Sequence, residues 1–137
     1  MEINGIAHTI LTSGDFPAAR AFYSQLLPYL GMQPVIDGDG YYYCIGGRTA
    51  LGIRASDDQS PDNRFDQQAC GLHHICFRLR SREDADTLHH FLRDIGAAIV
   101  HRPREDGWAP GYYSFLFEDP QGIRLEANFV PGKGLLE

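Results

Sequence analysis

Short runs in which apolar residues fall at every second position alternate with two longer runs in which they fall every third or fourth, and the order repeats. Ile3 to Thr12 carries β-branched and apolar residues on both alternating faces, which predicts a strand covered on both sides. Ser13-Gly14-Asp15 interrupts it. With Asp15 as N-cap, Pro17 in the first turn and Ala18, Phe22, Leu26 and Tyr29 at helical spacing, a helix is predicted from Phe16 to Leu30, ended by Gly31. Three strands follow, Gln33 to Ile36, Tyr41 to Ile45 and Thr49 to Arg54, set off by the turn sequences Asp37-Gly38-Asp39-Gly40 and Gly46-Gly47. Ala55 to Ala69 has no periodicity and reads as an exposed linker. The order then returns: a strand Leu72 to Leu79, and a helix Ser81 to Ile95 capped by Ser81 with Asp84 in the acidic slot. Strands Ala98 to His101, Tyr112 to Glu118 and Ile123 to Phe129 complete the set, with Asp119-Pro120-Gln121-Gly122 as the turn joining the last two.

The repetition extends to residue identity. Gly5-Ile6-Ala7-His8 returns 66 positions later as Gly71-Leu72-His73-His74, so each half opens on glycine, a branched apolar residue and a histidine in matching places. The predicted fold is therefore α+β, two β-α-β-β-β modules spanning about 3–54 and 70–130 within one domain of 1–137, because either half alone buries little surface. A duplication of this kind brings equivalent histidines together across a pseudo-twofold axis, and paired histidines suggest a metal.

Charge and cysteine content narrow the function classes. A net charge of −6 with no cluster of Lys and Arg excludes a nucleic-acid backbone as partner. Three cysteines without C-x-x-C spacing fit reduced thiols rather than a disulfide framework or a zinc finger. The N-terminus has no basic and apolar leader pattern, and no stretch approaches a membrane span, so a cytoplasmic protein without membrane association is expected. There is no Gly-x-Ser-x-Gly, P-loop or Gly-x-Gly-x-x-Gly sequence.

In the last strand the alternation puts Ile123, Leu125 and Ala127 on one face and Arg124, Glu126 and Asn128 on the other. A carboxylate there needs a partner, since an isolated buried charge costs several kcal/mol, roughly. Either Glu126 pairs with a base such as Arg78 or a neighbour of Arg124, or it joins His8 and His74 as a two-histidine, one-carboxylate set that leaves coordination positions open. His73 is read as pointing away from His74, in a structural or supporting role. His89, His90 and His101 are more simply packing or surface residues. Around this set, Tyr43, Arg54, Trp108 and Arg124 are candidates for a substrate pocket: an aromatic wall, two cations for an anionic substrate, and a packing anchor or lid on the Arg102 to Gly111 loop. Tyr112 and Tyr113 each offer a donor hydroxyl.

Taken together, His8 after Gly5-Ile6-Ala7, Asp15 through Ala21-Phe22-Tyr23 and Leu30-Gly31, Gly71 through Phe77, and Glu118-Asp119-Pro120-Gln121-Gly122-Ile123-Arg124-Leu125-Glu126 resemble the vicinal oxygen chelate superfamily. That superfamily includes glyoxalase I, extradiol dioxygenases, methylmalonyl-CoA epimerase, fosfomycin thiol-transferases and bleomycin-resistance proteins. The resemblance covers residues 3 to 130. It implies paired modules side by side around a metal-bearing, glyoxalase-like cleft, and one divalent transition metal per chain, Fe, Mn, Ni or Zn, on His8, His74 and Glu126. It also implies a homodimer and a small-molecule substrate.

The departures from the family pattern sort its activities. Glyoxalase I and the epimerase use a fourth ligand near the end of the first module, where this chain has Gly52, which cannot ligate. The extradiol dioxygenases use an assisting tyrosine whose position here looks like Leu116, leaving Tyr113 as the substitute and Glu126 as the other catalytic candidate. The expected function is a metal-dependent lyase or ring-cleavage dioxygenase of glyoxalase/dioxygenase type acting on a small oxygenated substrate chelated to the ion. The alternatives are a metal-dependent thiol transferase of the fosfomycin-resistance type and a non-enzymatic binding protein of the bleomycin-resistance type.

Overall fold

A computed structural model describes residues 1–132, so the final stretch of the expected 1–137 domain, 133–137, lies outside the described residues. The chain divides into two compact units, Met1–Arg64 and Phe65–Glu137, with the boundary inside the expected linker. Unit 1 runs β1 (Thr9–Ser13), α1 (Phe16–Tyr29), β2 (Gln33–Gly38), β3 (Tyr41–Gly46) and β4 (Thr49–Ala55). Unit 2 repeats it as β5 (Ile75–Arg78), α2 (Arg82–Asp94), β6 (Ala98–Glu105), β7 (Tyr113–Glu118) and β8 (Arg124–Phe129). Each unit has one four-stranded mixed sheet, in the orders β1-β4-β3-β2 and β5-β8-β7-β6. The fold is thus α+β, two β-α-β-β-β modules, as the periodicity predicts.

The helix ends are specified locally and in the same way twice. The Asp15 carboxylate accepts from Ala18 N–H at 3.1 Å, and the Ser81 hydroxyl accepts from Asp84 N–H at 3.0 Å. Both helices close with a glycine at positive φ, Gly31 at 79° and Gly96 at 77°. Beyond each, a backbone N–H reaches five residues back, Met32 to the Leu27 carbonyl and Ala97 to that of Leu92, the bonding of a Schellman cap. The helix between β1 and β4, or β5 and β8, allows those strand pairs to run parallel, while the remaining pairs are antiparallel.

In each unit one sheet face packs on the helix. Unit 1 buries Leu11, Tyr42, Cys44, Leu51 and Ile53, together with Tyr23, Leu26 and Leu27 of α1. Unit 2 buries Phe115, Phe117, Leu125 and Ala127, together with Ala85, Leu88 and Leu92 of α2. The alternation expected for Arg124, Glu126 and Asn128 holds, since their cross-strand partners Glu118, Leu116 and Ser114 share the face away from Phe117 and Leu125.

The opening strands are shorter than predicted. β1 begins at Thr9 and β5 at Ile75, which leaves His8 and His74 as the last residues before their strands. Gly5 and Gly71, equivalent in the repeat, have φ of 100° and 141° and stand four residues ahead of their strands. Ahead of β1, the Thr49 hydroxyl bonds the Ile6 carbonyl at 3.0 Å where ladder bonds would otherwise continue. Ile3 and Ile6 are exposed.

Packing and capping should separate in equilibrium urea unfolding. Leu26→Ala, at a fully buried position, is expected to cost about 2–5 kcal/mol. Asp15→Ala, which removes one cap, is expected to cost about 0.5–2 kcal/mol.

Candidate functional site

The polar face of the unit 2 sheet is organised by Glu126, on interior strand β8 and 8% exposed. Its carboxylate is held from two sides. The Tyr112 hydroxyl donates to Oε1 at 2.7 Å, and His74 Nε2 lies 3.1 Å from Oε2. The expected arginine partners are engaged elsewhere or stay apart. Arg124 donates to Glu118 at 3.2 Å, and among the described residues Arg78 makes no ion pair with Glu126. Desolvation and the bond to Glu126 push the Tyr112 phenol up, so it stays an O–H donor. Cys76 stands beside Glu126 in the β5–β8 register. Desolvation and the neighbouring carboxylate push its thiol up to about 12, so it is a neutral S–H at physiological pH.

The other predicted residues fall into distinct places. Tyr113 lies on the helix side of the sheet, where its hydroxyl donates to Asp86 at 2.8 Å and its ring lies under the Arg82 guanidinium. The hydroxyl brought to Glu126 is therefore that of Tyr112, the residue just before β7. Trp108 is exposed on the loop between β6 and β7. That loop is shorter than expected, because β6 continues to Glu105. His73 does not point away from His74. The two precede β5, where strand alternation does not apply, and their Nδ1 atoms are 2.7 Å apart. Sequence reasoning passed over Gln67, whose side-chain nitrogen is 2.8 Å from His73 Nε2. A glutamine in an aperiodic segment carries no signal of such a contact.

Unit 1 presents the same register with different contents. Thr9 pairs with Leu51 as Ile75 pairs with Leu125, so His8 matches His74, and Gly52 matches Glu126. A Cβ on Gly52 would lie 2.7 Å from the Tyr43 ring and 2.7 Å from an Ile10 methyl. Tyr43 stacks on Tyr41 with centroids 6.1 Å apart. Aromatic rings thus cover the place that holds a carboxylate in unit 2. Arg54, on the same face, is exposed and pairs with Asp57 at 3.0 Å. His8 is exposed.

Among the described residues no group of three or more His, Cys, Asp and Glu side chains forms a metal-holding cluster. The His74–Glu126 pair nevertheless fits two adjacent ligands of one ion. A nitrogen and an oxygen each about 2.0–2.1 Å from a tetrahedral metal are separated by roughly 3.3 Å, close to the observed 3.1 Å.

Residues 5–127 match the family model described as the Glyoxalase/Bleomycin resistance protein/Dioxygenase superfamily. The structure is similar to that of a candidate glyoxalase from Bacillus halodurans, with a TM-score of 0.81, 24% identity, and 93% of this chain and 96% of that chain covered. It is also similar to a glyoxylase/bleomycin resistance protein/dioxygenase domain from Frankia sp. EAN1pec, with a TM-score of 0.75, 26% identity and coverage of 93% and 98%. A lactoylglutathione lyase from Agrobacterium tumefaciens gives a TM-score of 0.71 at 23% identity, with 94% and 96% covered. No curated protein matches the chain.

The crowding over Gly52 is testable without knowledge of substrate. Gly52→Ala is expected to destabilise the protein by about 1–3 kcal/mol through overpacking. Adding Tyr43→Ala should cancel much of that cost, so chemical denaturation of the four proteins in a double-mutant cycle should show favourable coupling. Additive losses would show that the ring is not what fills the position.

Proposed function

Because this chain belongs to the glyoxalase/bleomycin resistance protein/dioxygenase superfamily, we propose that it is a metal-dependent enzyme of glyoxalase/dioxygenase type acting on a small oxygenated substrate. His74 and Glu126 are two of the metal ligands in this reading, and His8 is the third. The observation that carries it is the His74 Nε2 to Glu126 Oε2 approach at 3.1 Å, on a strand face where the carboxylate has no arginine partner among the described residues. Support for His8 comes from its register equivalence with His74. An imidazole and carboxylate set favours Fe, Mn, Ni or Zn over Ca or Mg.

When bound, the ion supplies Lewis-acid polarisation of a substrate oxygen. The protein groups set the conditions for it. Glu126 contributes the negative charge in an otherwise neutral ligand set, and the Tyr112 O–H fixes one of its oxygens so that the other faces His74. Tyr112 replaces Tyr113 as the hydroxyl assigned to the site. Lyase and ring-cleavage dioxygenase chemistry both remain within the reading, because both require a substrate held through its oxygens. The reading includes a soluble homodimer, supported by the exposed edge strand β2, on which Val35 and Ile36 are 52% and 47% exposed.

One observation favours a second reading. The stacked Tyr41 and Tyr43 over Gly52 form an aromatic surface of the kind that holds a planar ligand without metal chemistry, as a binding protein of the bleomycin-resistance type would.

Elemental analysis and titration calorimetry decide between them. Wild type is expected to take up about one transition-metal ion per chain, with His74→Ala or Glu126→Gln weakening uptake at least about tenfold. Since no arginine among the described residues pairs with Glu126, metal-free Glu126→Gln should lose only about 0.5–1.5 kcal/mol in a denaturation experiment. A loss of about 3–5 kcal/mol with unchanged metal uptake would mark Glu126 as a structural charge instead.

A further inference from the structure

A hydrogen-bonded chain in unit 2 extends beyond the two proposed ligands. Gln67 Nε2 lies 2.8 Å from His73 Nε2 and 3.4 Å from its Nδ1, His73 Nδ1 lies 2.7 Å from His74 Nδ1, and His74 Nε2 lies 3.1 Å from Glu126 Oε2. The Tyr112 hydroxyl closes the far end on Glu126 Oε1 at 2.7 Å. The near end is anchored as well, since Phe65 N–H donates to the Gln121 carbonyl at 2.9 Å and Gln68 N–H to the Asp66 carboxylate at 2.8 Å.

A neutral imidazole has one N–H and one bare nitrogen, so each contact in the chain dictates the next. The Glu126 carboxylate only accepts, so without a cation His74 carries its hydrogen on Nε2 and donates to it, the bare His74 Nδ1 accepts from His73 Nδ1–H, and His73 Nε2 is left bare beside the Gln67 amide. Turning the Gln67 amide over gives the one other consistent arrangement of neutral rings. His73 Nε2–H donates to Gln67 Oε1, His74 Nδ1–H donates to His73 Nδ1, and His74 Nε2 is bare. That arrangement sets a nitrogen lone pair against a carboxylate oxygen and holds only with a cation between them.

We infer that His73 is a positioning residue that decides which nitrogen of His74 carries hydrogen, and that the chain reverses direction when His74 Nε2 and Glu126 take a divalent cation. The hydrogen count balances: two ring N–H groups before and two after, on exchanged nitrogens. The reversal rests on the metal reading above, whereas the cation-free arrangement does not. A ligating histidine needs its other N–H held by an acceptor, and His73 is the acceptor that meets His74 Nδ1. The adjacent histidine thereby acquires a role toward the site.

Nitrogen-15 histidine spectra of the full chain at pH 8, followed by zinc titration, test this. Without zinc, His74 should appear as the Nε2–H form and His73 as the Nδ1–H form. With zinc, both should switch, to His74 Nδ1–H and His73 Nε2–H. His73→Phe should weaken zinc binding about 10–100-fold, and His73→Asn, whose side-chain carbonyl still accepts a hydrogen bond, should restore most of it. An unchanged His73 signal on zinc binding, or wild-type affinity in His73→Phe, overturns the inference. If wild type binds no zinc, the metal reading fails by itself. The zinc-free spectrum then still decides the chain, because any His74 form other than Nε2–H contradicts it.

Discussion

The Glu126 carboxylate, 8% exposed on an interior strand, is the constraint around which unit 2 is arranged. A charge at such a position must be met by donors or a cation, since leaving it unmatched costs several kcal/mol, roughly. The chain meets it with the Tyr112 hydroxyl and the His74 imidazole rather than with an arginine. Both come from residues that flank strands, where the backbone is free of the two-residue alternation. Hydrogen bonds from these two groups steady the carboxylate that a cation would use.

The two units show how duplicated geometry acquires different chemistry. Register, helix caps and positive-φ glycines recur in both, so the backbone offers equivalent places at Gly52 and Glu126. Occupancy differs. At Gly52 the missing side chain lets Tyr43 and Ile10 close over the backbone, while at Glu126 the side chain projects among polar neighbours. One unit thus presents an aromatic face and the other an acid–imidazole face, from one folding pattern.

Much of the architecture is legible in the sequence because its determinants are local. Asp15 and Ser81 cap helices by bonding the N–H three residues on, Gly31 and Gly96 end them by adopting positive φ, and period-2 alternation assigns Arg124, Glu126 and Asn128 to one face. Each of these acts within a few residues. The beginnings of β1 and β5 are not legible in this way: apolar residues continue upstream as far as Ile3 and Leu72, yet pairing begins only at Thr9 and Ile75.

Sequence alone determined the two-module α+β fold, the equivalence of His8 with His74, and the demand that Glu126 find a partner. Tertiary structure alone decided the partners. It chose Tyr112 over Tyr113, turned His73 toward His74 instead of away, brought in Gln67 from the linker, and paired Arg124 with Glu118. The physical reason is one of range. Helix caps and strand faces follow from bonds between residues a few positions apart. A side-chain hydrogen bond across a sheet depends on where strands begin and how a loop is anchored, which periodicity does not encode.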